Sequence, residues 1–131
     1  MPGPAKPGAL IYAKDLERVS TFYQRLLGMK LLNADAHHHV IESLDMQLII
    51  HAIPPHIAAT FDIATPPLPR EEQAIKLFFT VTSLASAALN AASLGGALFG
   101  EEYAGPGFTV RNGYDPEGNI FHVRELKREG M

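Results

Sequence analysis

The chain states one pattern twice. Residues 9–29 read ALIYAKDLERVSTFYQRLLGM, and residues 76–96 read KLFFTVTSLASAALNAASLGG. Each copy is a short apolar strand, a polar break, an amphipathic run and a Leu-Gly stop. Asp15-Leu16 aligns with Ser83-Leu84, and Leu27-Gly28 with Leu94-Gly95 after one deletion. A repeat decides architecture before any single residue does, and two copies mean paired modules rather than a solenoid.

Local rules extend both copies. In the first, residues 9–13 predict a strand and Asp15 a helix N-cap, whose carboxylate accepts first-turn N–H groups. Leu16, Val19, Phe22, Tyr23, Leu26 and Leu27 fall on one side at helical spacing. Gly28 can take the left-handed conformation that ends the helix. Strands follow near 30–35, 38–44 and 46–53, with a turn at Leu44-Asp45. In the second copy a strand near 75–81 leads to Ser83 as cap. The next helix buries Leu84, Ala87, Ala88, Ala91 and Leu94, and Gly95-Gly96 stops it. Strands near 97–103, 107–113 and 119–126 complete the copy, with a type I turn at Asp115-Pro116-Glu117-Gly118. Module 1 thus spans about 8–53 and module 2 about 75–126. Between them, residues 54–74 hold five of the chain's ten prolines and predict a linker.

The 131 residues suit a single domain, 1–131. A net charge of −3 offers no bulk attraction to nucleic acid or an anionic membrane. Without Cys there is no disulfide, thiolate metal site or cysteine nucleophile. MPGPAKPGA lacks a secretory apolar stretch and no run reaches membrane-spanning length, so a cytoplasmic protein is expected. Ser20 and Thr21 have no His/Asp constellation beside them, and Gly105-Pro106-Gly107 reads as a turn rather than a phosphate loop.

The double βαβββ pattern, the FYQRLLG segment at Phe22–Gly28 and the closing YDPEGNIFHV at Tyr114–Val123 resemble the vicinal oxygen chelate superfamily. That group includes glyoxalase I, fosfomycin- and bleomycin-resistance proteins and extradiol dioxygenases. The resemblance runs from about Gly8 to Glu125. It implies an α+β fold whose two βαβββ modules form an open eight-stranded barrel-like sheet around a concave cavity. Period-two alternation then assigns faces. Leu10 and Tyr12, Gln47, Ile49 and His51, Lys76, Phe78 and Thr80, and Ile120, His122 and Arg124 face the cavity. Tyr103 and Tyr114 are further wall candidates.

The resemblance also implies metal ligands at the start of each module's first strand and on its last strand. Those positions are Gly8, Ile49, Lys76 and His122. Glycine and isoleucine offer no donor, and a protonated ammonium has no free lone pair. His122 alone is a competent ligand, so no family metal centre and no cofactor is expected. An atypical site from His37, His39 and His51 is the alternative, against which these read as strand-edge imidazoles. His56 reads as a solvated loop residue.

His122 admits two roles: a base or hydrogen-bond partner for a substrate, or a structural histidine in a polar patch. Lys76 and Arg124 read as a basic floor for a carboxylate or phosphate, or as partners of Glu42 or Glu125. Phe78 is a wall or a core filler. The leading expectation is a ligand-binding protein of the bleomycin-resistance kind, homodimeric, taking a polar or anionic small molecule. Its rival is a metal-dependent glyoxalase-like lyase or isomerase, or a dioxygenase. A third reading is a cofactor-free enzyme with His122 as base.

Overall fold

The computed structural model describes residues 6–127. Two sheets, of four and five strands, and three helices make an α+β fold. The chain divides into two compact units, Met1–Asp62 and Ile63–Met131.

In the first unit, β1 (Gly8–Ala13) leads into α1 (Leu16–Leu27), followed by β2 (Lys30–Ala34), β3 (His38–Glu42) and β4 (Gln47–Ala52). The sheet order is β1-β4-β3-β2, with β1 parallel to β4. Asp15 caps α1 by accepting from the Arg18 N–H at 3.1 Å, and Gly28 closes it at φ 65°. The apolar face of α1 is bulky. Val19, Phe22, Tyr23 and Leu26 are buried, as are Ala13, Ile41, Leu48 and Ile50 of the sheet. Each large side chain so buried contributes about 1.5–3 kcal/mol.

The second unit repeats the plan. β5 (Leu77–Val81) precedes α3 (Leu84–Ser93), and β5 pairs in parallel with the last strand, β9 (Ile120–Leu126). Ser83 caps α3 by accepting from the Ser86 N–H at 3.1 Å. Leu84, Ala87 and Ala91 are its buried residues; Leu94, expected on that face, is the half-buried C-cap. Phe79, Phe121 and Val123 supply the bulk from the sheet side.

The strand expected over 97–103 is two strands, β6 (Ala97–Leu98) and β7 (Tyr103–Gly105), both paired with β8 (Phe108–Tyr114). Leu98 pairs with Gly113 and Tyr103 with Val110, so five residue steps face three and two residues are in excess. Gly100, Glu101 and Glu102, poor strand formers, fall in that bulge.

The proline-rich segment is built into both units. α2 (Pro55–Ala58) is a single turn carrying exposed His56, and Lys14 Nζ donates to the backbone O of Ala58 and of Phe61. On the other side of the division, Gln73 binds Ile120 through both amide atoms, donating to its O at 2.6 Å and accepting from its N–H at 2.8 Å. Arg70 N–H donates to Gly118 O at 2.8 Å. At the expected turn, buried Asp115 accepts from the N–H groups of Glu117 and Asn119 and from Asn119 Nδ2. Gly118 sits at φ 87°, where a Cβ would run into the Leu68 carbonyl oxygen.

Candidate functional site

Paired residues on neighbouring strands share a face, so register orders the side chains opposite α3 into rows. One row runs Phe78, His122, Asn112 and, through the Phe99 N–H bond to Asn112 O, Phe99. The next runs Thr80, Arg124, Val110 and Tyr103. The predicted faces of β5 and β9 are those observed: Phe79, Phe121 and Val123 are buried, while Phe78 is 53% exposed.

Arg124 organises this face. Its guanidinium carbon lies 4.2 Å from the Phe78 ring centre and 4.1 Å from that of Phe108. Two aromatic faces attract the cation through their quadrupoles. Arg124 Nε is buried and has no hydrogen-bond partner. Its Nη2 lies 3.4 Å from His122 Nε2, and the His122 ring stacks on Phe78 at 5.1 Å. Burial, with Arg124 and Lys76 adding positive charge, holds the His122 pKa below the usual histidine value. The neutral ring can then accept from Arg124 at Nε2 and carry its proton on Nδ1.

Lys76 Nζ donates to Asn112 Oδ1 at 3.1 Å. The carboxylates weighed as partners for the basic floor are used elsewhere. Glu125 accepts from the Leu84 N–H at 2.8 Å, and Glu42 pairs with Lys6 at 2.9 Å. Among the described residues neither Lys76 nor Arg124 meets a carboxylate.

At the outer edge of this sheet a cavity of about 320 Å³ is lined by Phe99, Gly100, Glu101, Tyr103 and Asn112. Tyr103 OH donates to Glu101 Oε2 at 2.6 Å, a bond that raises the phenol's pKa. Tyr114, expected as a wall, packs against Phe99 with ring centres 5.6 Å apart.

The equivalent face of the first sheet differs. Leu10 and Tyr12 are exposed, as alternation predicts. Gln47 Nε2 donates to Glu42 Oε1 at 3.2 Å. The His51 ring lies 5.5 Å from Tyr12 and stacks on His38 at 6.1 Å. The alternative grouping of His37, His39 and His51 is not formed. His38 is the register partner of His51, and His39, one residue on, points to the other face and bonds Ser20 Oγ at 2.8 Å. A one-residue shift inverts every side chain on a strand. His37 precedes the strand, its N–H on Asp35 Oδ1.

The residues at the family's ligand positions do not fit a metal ion. Gly8 and Ile49 bring no donor atom, and the Lys76 ammonium is bound to Asn112. That leaves His122 as the one imidazole of the set. Among the described residues no three His, Asp or Glu side chains are grouped to hold a metal.

Phe108 and Asn112 take part in the site without having been singled out in the sequence. Both lie on the His122 face of β8, and alternation along Phe108–Tyr114 is the signal that finds them.

The glyoxalase-like domain model matches residues 9–124, and the chain belongs to that family, within the vicinal oxygen chelate superfamily. No curated protein matches its sequence. Among solved structures it is similar to a glyoxalase/bleomycin resistance protein/dioxygenase family enzyme from Burkholderia phytofirmans. The TM-score is 0.70 at 18% identity, over 93% of this chain and 99% of that one. A glyoxalase/bleomycin resistance protein from Albidiferax ferrireducens gives 0.64 at 18%, over 91% and 96%. TioX from Micromonospora gives 0.64 at 14%, over 94% and 99%. These likenesses establish the fold. No helix among the described residues is long and apolar enough to cross a membrane.

Proposed function

We propose that this chain is a small-molecule-binding member of the glyoxalase family that works without the family's metal centre. It takes a polar or anionic organic ligand on the face built by β5, β9 and β8, in the manner of the bleomycin-resistance proteins, where binding is the activity. The observation that carries this reading is Arg124, clamped between two rings with no carboxylate partner. A fixed guanidinium edge in a partly desolvated setting is a ready receptor for a planar carboxylate or a phosphate. Lys76 adds a second cation, Thr80 a hydroxyl beside Arg124, and Phe78 an apolar surface for a ring.

The test is binding of benzoate and phenyl phosphate to tag-free protein, followed by NMR shift perturbation. Binding by both, weakened at least tenfold in Arg124→Ala, supports the reading. Binding by neutral aromatics alone, or anion binding unchanged in Arg124→Ala, overturns it. The metal-dependent lyase, isomerase or dioxygenase is tested on the same preparation. About one zinc, nickel, manganese or iron per chain, lost in His122→Ala, would favour that rival.

His122 supports a second reading, proton abstraction from the bound ligand without a metal, with Nε2 taking the proton once the ligand's anion draws Arg124 away from it. Turnover in metal-free protein that disappears in His122→Gln would identify it. We also propose that the protein is a homodimer, as the family's single-domain members imply. A monomer mass by light scattering at micromolar concentration would refute this.

A further inference from the structure

The sheet face crossed by the two rows carries positive charge on one side and negative charge on the other. Lys76, just before β5, stands with His122 and Arg124 of β9, and no carboxylate among the described residues meets Lys76 or Arg124. Two strands away, where β6 gives way to β7, the cavity beside Phe99 and Tyr103 is lined by a carboxylate, Glu101. Strand spacing of about 4.8 Å puts β9 roughly 10 Å from the β6–β7 edge. Both lie on one face, because Tyr103, Val110 and Arg124 are register partners, as are Asn112 and His122.

The cavity exists because of the two excess residues between Leu98 and Tyr103. They turn Glu101 out of the strand and set its side chain beside the Tyr103 phenol. Tyr103 OH occupies Oε2, and no Lys or Arg among the described residues pairs with the carboxylate. A cavity lined by two aromatic side chains and a carboxylate suits an alkylammonium: ring faces carry negative potential and the carboxylate supplies the counter-charge. At about 320 Å³ the space holds one such group with a few attached carbons.

We propose that this cavity is a subsite for an organic ammonium group, and that the ligand is therefore amphoteric. Its anionic end meets Arg124 and Lys76, and its cationic end lies between Phe99, Tyr103 and Glu101. The ammonium half stands on the cavity alone; the amphoteric ligand rests also on the anion site proposed above.

Three probes separate the two. Biphenyl-4-carboxylate carries only the anion, biphenyl-4-ylmethylammonium only the cation, and 4′-(aminomethyl)biphenyl-4-carboxylate both. Dissociation constants are measured by NMR titration of the full chain and of Glu101→Gln, Glu102→Gln and Arg124→Ala. Glu101 and Glu102 are both exposed, so each variant removes one charge without touching the core. The amphoteric probe should bind about tenfold tighter than the carboxylate alone. Glu101→Gln should reduce that advantage to about twofold or less and weaken the cation-only probe, while Glu102→Gln changes neither. Arg124→Ala should weaken both acids and leave the cation-only probe unchanged.

Equal binding of the amphoteric and anion-only probes overturns the amphoteric ligand. So does an advantage that survives Glu101→Gln, or that falls equally in Glu102→Gln. Loss of the anion site alone shows as acids indifferent to Arg124→Ala, with the cation-only probe still sensitive to Glu101→Gln; the ammonium subsite then stands. No binding of either ammonium probe at millimolar concentration overturns the subsite, whatever the carboxylate does.

Discussion

The two units use one frame and fill it in opposite ways. Both begin with a strand, a side-chain cap and a helix, and both pair the first strand in parallel with the last. The first unit puts its bulk on the helix, with Phe22 and Tyr23 fully buried. The second puts alanines there and takes its bulk from Phe79 and Phe121 on the sheet. The faces opposite the helices diverge more. On the first sheet the charge is matched, Lys6 against Glu42, whose carboxyl pKa is lowered by that bond and by Gln47. On the second, Arg124 and Lys76 meet no carboxylate. A repeated frame needs its caps and register in both copies, while the faces are free to differ. The proposed anion site lies on the face whose cations meet no carboxylate among the described residues.

Core substitutions should break the symmetry hardest. Phe22→Ala deletes a ring with no exposed surface and should cost about 3–5 kcal/mol in urea unfolding. The corresponding stress on the second helix is the reverse one. Ala91→Leu inserts bulk where the helix lies close to its sheet and should cost about 1–3 kcal/mol. If Ala91→Leu is neutral, the close packing of α3 is misjudged.

The charged faces come next. Arg124→Ala should weaken binding of an anionic aromatic by about 2 kcal/mol, since the anion loses a desolvated partner. Lys6→Ala removes a half-buried ion pair and should change stability by about 1 kcal/mol. Comparable losses of anion affinity in the two variants would erase the contrast between the faces. At the caps the units should behave alike: Asp15→Ala and Ser83→Ala should each cost about 1 kcal/mol in thermal or urea unfolding. A large disparity between them would show that one copy depends on its helix far more than the other.

The smallest effect is that of pH. The His122 pKa is below its ordinary value, so the unfolded chain takes up the proton first as pH falls below about 6.5. Stability contributed by this group is therefore present above that pH and lost as pH falls toward the folded-state pKa. An anion bound beside Arg124 acts in the other direction, favouring the protonated ring. Its affinity should rise modestly as pH drops from 7.5 to 5.5, and His122→Gln should flatten the profile. Affinity that falls over this range would place the anion away from His122.

Much of the frame is legible in local rules. Asp15 and Ser83 cap the helices, Gly28 ends one of them, and alternation sorts Phe78 from Phe79 and His122 from Phe121. What local rules miss depends on pairing. Residues 97–103 form one apolar-to-acidic run in sequence, and only the register on β8 reveals the bulge between Leu98 and Tyr103. In the histidine tract, only the strand register decides that His38 faces His51 and His39 bonds Ser20. Within the proline-rich linker, the closure of Gln73 on Ile120 is invisible to local rules because the two residues are far apart in sequence.

The sequence by itself determined the duplication and the caps of the two long helices, because these follow from neighbours a few residues apart and from period, and its motifs carried the family resemblance. It also determined that the family's metal positions hold Gly8, Ile49 and Lys76, since donor chemistry is a property of residue type. Tertiary structure alone decided what surrounds Arg124. Phe78 and Phe108 come from strands on either side of β9, and Glu125, next in the chain, is turned away to cap α3. Whether a cation is neutralised or left to bind something else depends on which side chains the register places beside it, and register is set by long-range pairing.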